Sequence, residues 1–136
     1  MSEKNSQTDG SILIPVSAAE LLDKLTILEL KLERISDPKK LKNVEREYAL
    51  LSSAFSAAVA QDGKLGSLRA RLKEVNAAIW DVEEALRAFE RKQSFGRDFI
   101  EQARGAYLNN DVRSAVKRRI NELLSSSLVE EKSHGE

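Results

Sequence analysis

Glu29, Arg34, Arg113 and Lys117 have the strongest claim to chemistry in this chain. Glu29 lies in "LLDKLTILELKLERI" beside an apolar seam, between the directions of Leu22 and Leu25 at about 100° per residue. Arg34 closes the same stretch. In "VRSAVKRRI", Arg113 and Arg119 fall within or beside the apolar sector, and Lys117 accompanies them. A partly buried charge needs a partner, because leaving it unpaired away from water is costly. Two readings follow. The charges form ion pairs that fix how the last helices dock. Alternatively, the cations line a pocket that holds a phosphate or carboxylate ligand, a task suited to the planar guanidinium fork.

Other constellations are weaker. Glu20 and Asp23 stand three apart, and Glu83 and Glu84 are adjacent. Converging carboxylates on helices hold magnesium in some all-α nucleotide-cleaving enzymes, but through a denser set than this. Glu20 is also accounted for by helix capping. "VNAAIWDVEEALR" holds Asn76, Trp80 and Asp81, and Trp80 sits one position past a seam residue, at a core edge where its indole N–H can meet a polar group. The run Lys117, Arg118, Arg119 looks like a nucleic-acid patch only locally, with Asp111 and Glu122 nearby. His134, the one histidine, lies in the polar C-terminal end, away from any scaffold for base catalysis or metal ligation. There is no Gly-rich phosphate loop. The residues therefore nominate no catalytic group, metal site or cofactor.

The elements that position these residues are helices. Large apolar residues alternate by three and four along Leu21, Leu25, Leu28, Leu32 and Ile35. They do so again along Leu41, Val44, Tyr48, Leu51 and Phe55, and along Leu65, Leu68, Leu72, Val75, Ile79, Val82, Leu86 and Phe89. That spacing marks narrow seams on long helices packed at shallow angles. Ser17 and Glu20 form an S-x-x-E capping pattern, so the first helix runs from there to about Ile35. Asp37 caps and Pro38 opens the second, to about Ala60. "QDGKLG" breaks the chain before a third helix from about Leu65 to Gln93, which spans roughly 40 Å. "SFG" precedes a fourth, Arg97 to Leu108, and "NND" ends it and caps a fifth, Val112 to Ser125. Ile12 to Val16 reads as extended, with Pro15 limiting it to an edge strand, and is expected to pair with Leu128 and Val129. Ala19, Ile27 and Leu30 lie off the first helix's seam, on a side shared with Asp23, Thr26 and Arg34. That second face suits the last two helices or another subunit.

The expected fold is all-α: an elongated, coiled-coil-like antiparallel hairpin of the second and third helices, the first helix along it, and two shorter C-terminal helices at one end. Residues 1–11 and 130–136 read as tails and 12–129 as one helical domain.

Composition agrees. The chain has 136 residues, 41% hydrophobic, 32% charged and 5% aromatic, with two prolines, which favours aliphatic helical seams over a β-sandwich. The 22 basic and 22 acidic residues cancel, which disfavours general nucleic-acid binding. The absence of cysteine excludes disulfides, thiolate catalysis and zinc ribbons. The polar start carries no signal-peptide run and no window reaches a membrane-spanning length, so a cytoplasmic protein is expected, without membrane insertion.

"IPVSAAELLDKLTILELKLERISDPKKLKNV", "VNAAIWDVEEALR", "FIEQARGAYLNNDVRSAVKRRINELL" and "LVEEKS" occur in that order. With these motifs the chain resembles a family of short bacterial proteins classed as a domain of unknown function, over roughly Ile12 to Ser133. Ala19 stands where that family's pattern has glycine, and His134 where it has an aromatic residue. The resemblance implies no activity; it implies an association with glycosyltransferase-like and surface-polysaccharide genes. Two functions are therefore carried forward. One is a non-catalytic helical interaction module that binds a protein partner or a second copy. The other is a protein or enzyme acting on a small phosphorylated or carboxylated metabolite, with Glu29, Arg34, Arg113 and Lys117 around it.

Overall fold

The computed structural model describes residues 9–60 and 63–128, the last four of these by backbone alone. Four helices follow in order: α1 (Ala18–Arg34), α2 (Pro38–Ala58), α3 (Gly63–Lys92) and α4 (Arg97–Leu128). Their ends follow local chemistry. The Ser17 hydroxyl accepts the Glu20 amide at 3.2 Å, satisfying one of the amides a helix start leaves open. Asp37 does the same for Lys39 at 2.9 Å, with Pro38 at the first helical position.

α3 ends in a Schellman turn. The Ser94 amide reaches the Phe89 carbonyl, the Gln93 amide reaches that of Glu90, and Gln93 takes the left-handed conformation at φ 56°. Glycine is the usual residue there, so this turn carries a side chain at a position that favours none.

The fourth and fifth helices expected from the sequence are one helix, α4. Asn109 and Asn110 do not cap. Their side-chain amides donate back to the Gly105 and Ala106 carbonyls at 2.9 and 3.0 Å, one turn earlier. Short amides compete with the backbone at helix ends, but bonded to i−4 carbonyls they leave the helix unbroken. The long antiparallel pair is consequently α3–α4, not α2–α3. Phe89 and Phe99 meet edge to face near the turn, centroids 6.1 Å apart, and Gly105 lies under Val82.

α1 packs on α2, α3 and α4, whereas the backbone of α2 approaches only α1 among the described residues. This explains the two apolar faces of α1. Ala19, Leu22 and Leu25 join Phe55 of α2, Leu65 and Leu72 of α3, and Val116 and Ile120 of α4 in one core. Each such burial is worth roughly 1.5–3 kcal/mol. Leu30 and Thr26, off the seam, are buried as well.

α3 and α4 are about 45 Å long and outreach the shorter α1 and α2. Between Val82 and Val116 no described residue is fully buried, so this stretch is a two-helix arm. Ile12 to Val16 is irregular and belongs to no strand, and Ile12, Leu13 and Ile14 are 70–84% exposed. The expected pairing fails at Leu128, which is the last residue of α4. Val129, the tails at 1–8 and 130–136, and His134 lie outside the described residues.

Candidate functional site

Glu29 is the hub of a charged junction between three helices. Its carboxylate accepts from the Tyr48 hydroxyl of α2 at 3.0 Å and from the Arg69 guanidinium of α3, and Lys73 lies 3.5 Å away. The side chain is 20% exposed, so these partners act with little competing water. Burial pushes the carboxyl up, but the Arg69 and Tyr48 hydrogen bonds and the charges of Arg69 and Lys73 outweigh it, holding Glu29 below its ordinary value. Tyr48 is raised, by burial and by donating to Glu29. Lys73 is raised by its hydrogen bond to Glu33, against partial desolvation, and by Glu29. Each shift strengthens the state that binds the neighbour.

Arg34 reaches Asp81 of α3 at 2.8 Å and lies over the Trp80 ring, 5.4 Å from its centroid. Trp80 therefore receives a cation on its face and marks where the end of α1 rests on α3. Lys117 of α4 pairs with Glu20 of α1 at 2.7 Å, and the neighbouring Asn121 accepts the Ala19 amide at 3.1 Å. The start of α1 is thus capped from its own Ser17 and from α4. Arg113 is half-buried and has no hydrogen bond or ion pair among the described residues. Arg119 is exposed beside Lys64, Leu68, Glu122 and Leu123.

The four nominated residues do not converge. Glu29 is spent on α2 and α3, Arg34 on α3 and Lys117 on Glu20, and no contact joins any two of the four. Of these pairs only Lys117–Glu20 joins the last helix to the rest; Glu29 and Arg34 pair with α3, and Arg113 and Arg119 form no ion pair among the described residues. Arg69 and Lys73 escaped notice because their seam neighbour Leu72 dominates the pattern. The only signal was two cations four apart flanking a seam.

A second polar cluster is more deeply buried. Asn76 of α3 donates to the Asp23 carboxylate at 2.9 Å and to the Thr26 hydroxyl at 3.0 Å, and Thr26 donates to the Asp23 carbonyl at 2.8 Å. Thr26 is fully buried, and Asn76 and Asp23 nearly so. Every buried polar side-chain atom described has a partner. Such a clamp fixes the register of α1 on α3, because a slipped pairing strands a carboxylate in the core.

Asp23 also lines a shallow groove along α1 with Glu20, Lys24, Ile27, Leu28 and Lys31. Ser114, Lys117, Arg118, Asn121 and Glu122 border an open groove on α4. Glu20 is turned to Lys117 and Asp23 to Asn76, so the carboxylates considered for magnesium do not meet. Among the described residues no group of three or more His, Cys, Asp or Glu could hold a metal. None of the described helices is long and apolar enough to cross a membrane.

The three pairs neutralise charge across helix junctions, and Lys117 and Glu20 also border the open grooves on α4 and α1. Comparison with curated proteins finds no match, and neither does comparison with solved structures. Residues 12–135 match the family of unknown function DUF6165, and the chain belongs to that family.

Proposed function

We propose that this chain is a non-catalytic helical interaction module of the cytoplasm, working through contact with another polypeptide. One observation carries the reading. Three of the four charged residues that could build a ligand site are paired with a neighbouring helix, while the apolar run Ile12 to Val16 is left uncovered by the other described residues. An apolar run without a fold to cover it is the kind of surface that another protein buries. The small-ligand reading retains one support, Arg113, half-buried and unpaired among the described residues, next to the groove at Ser114 and Lys117. A phosphate or carboxylate is the chemistry that would suit it.

A photo-reactive residue at Ile14, with the same group at exposed Arg87 as control, tests the proposal in cells. Protein adducts specific to position 14 and abolished by Leu13→Asp are expected. Adducts no more frequent at 14 than at 87 would sink it.

A further inference from the structure

The outer face of α4 carries a second seam, which nothing among the described residues covers. Ile100, Arg104, Tyr107 and Asp111 follow one another at four- and three-residue spacing, with Leu108 and Ala115 alongside. Ile100, Tyr107 and Leu108 are 48–55% exposed. At about 100° per residue these six positions share one sector, opposite the side that buries Val116 and Ile120 against α1 and α3. The seam is continuous only because Asn109 and Asn110 bond back to the preceding turn instead of ending the helix.

The charges on this face are as informative as the apolar residues. Arg104 and Asp111 are exposed, and neither has an ion pair or hydrogen bond among the described residues. They lie symmetrically about the step from Tyr107 to Leu108. We infer that this face binds a second copy of the chain, α4 against α4 in antiparallel two-fold contact centred between Tyr107 and Leu108. This deepens the interaction reading proposed above and rests on it.

The register follows from the sequence. With the axis at that step, Tyr107 faces Leu108 of the second copy and Leu108 faces its Tyr107. Arg104 faces Asp111 twice, and Ile100 faces Ala115 twice. At the two ends of the contact Arg118 faces Arg97 of the other copy, a like-charge pairing that works against the Arg104–Asp111 attraction and keeps the dimer weak. An isologous contact must be self-complementary, since each residue meets its symmetric counterpart's neighbour. Parallel pairing would instead place Arg104 on Arg104 and Asp111 on Asp111.

The arm gives the contact a structural reason. Between Val82 and Val116 two helices pack without a fully buried residue. Two such arms side by side form a four-helix arrangement, the usual solution for helices with apolar stripes on two sides. The three exposed apolar side chains offer on the order of 300 Å² per copy, and the arginine stems add to it. Over two copies the apolar side chains come to about 600 Å², below the roughly 1,200 Å² of stable specific interfaces, so the dimer is weak and reversible.

Sedimentation of the full chain over a micromolar concentration range tests this. Wild type is expected to pass from monomer to dimer. Tyr107→Glu with Leu108→Glu should raise the dissociation constant at least tenfold, with an unchanged helical circular dichroism spectrum, because both side chains are on the surface. Arg104→Asp alone and Asp111→Arg alone should each weaken the dimer, and the two together should restore it. A chain that stays monomeric, a dimer indifferent to the double glutamate variant, or strengthening by a single charge reversal would each overturn the inference. A monomer that still gives specific adducts at Ile14 would overturn this dimer and leave the interaction reading standing.

Discussion

Replacing Glu29 with glutamine removes one charge and almost no volume, so it isolates the electrostatics of the three-helix junction. Glu29 accepts from Tyr48 and Arg69 and attracts Lys73, with 20% of its side chain exposed and 28% of that of Arg69. Hydrogen bonds to charged groups contribute about 1.5–3 kcal/mol each, and exposed ion pairs about 0–1. Glutamine keeps a carbonyl to accept one bond but leaves Arg69 and Lys73 without their counter-charge. The net cost of Glu29→Gln is then about 2 kcal/mol at neutral pH, a fall of roughly 7 °C in Tm for a chain of this length. Urea and thermal unfolding followed by circular dichroism measure it. The pH dependence adds a second constraint. The folded state holds the Glu29 carboxyl below its ordinary value of 4.5. Its contribution is fully present above that value and is lost as pH falls through the depressed one. The gap between wild type and Glu29→Gln should therefore narrow in acid. A variant within about 0.5 kcal/mol of wild type at neutral pH, or a gap that persists unchanged in acid, would refute the junction's role.

Three further substitutions probe other parts of the argument. Asn76→Ala strips both hydrogen bonds from a nearly buried carboxylate and a buried hydroxyl, and should cost about 2–4 kcal/mol in urea unfolding. Gly105→Ala should stabilise by roughly 0.5–1 kcal/mol. The added methyl meets Val82 at 3.7 Å, an ordinary contact, and the helix interior gains a better former. Gln93→Gly relieves the left-handed residue at the end of α3 and should stabilise by up to about 1 kcal/mol, less the loss of its side-chain bond to the Glu90 carbonyl. Thermal melts resolve both signs.

Local chemistry made much of this fold legible. Ser17, Asp37 and Pro38 set the ends of α1 and α2 within a residue or two, and "SFG" marks the α3–α4 turn. The three-four seams identified the core side of each long helix. What escaped was non-local. "NND" reads as a cap because asparagine and aspartate favour helix starts, and nothing in the string reveals that both amides turn back on their own helix. Splitting α4 hid the true long pair and made α2 look like the partner of α3. The candidate residues fared similarly. Glu29 was visible as a charge beside a seam, but its partners lie 19 and 40 positions away and are fixed by how the helices cross. Asp23, Thr26 and Asn76 stood inside the motifs, yet their clamp exists only once α1 lies on α3.

The central claim is that the half-buried charges are scaffold and that the chain acts by binding polypeptide. A thermal-shift panel of nucleotides, nucleotide sugars and phosphorylated metabolites, each with and without magnesium, tests it most directly. A ligand at a hundredfold its Kd would stabilise by about 2.7 kcal/mol, a clear rise in Tm. The account predicts no such rise across the panel. A rise that Arg113→Ala abolishes, with the variant's own stability unchanged, would contradict it and make Arg113 part of a ligand site.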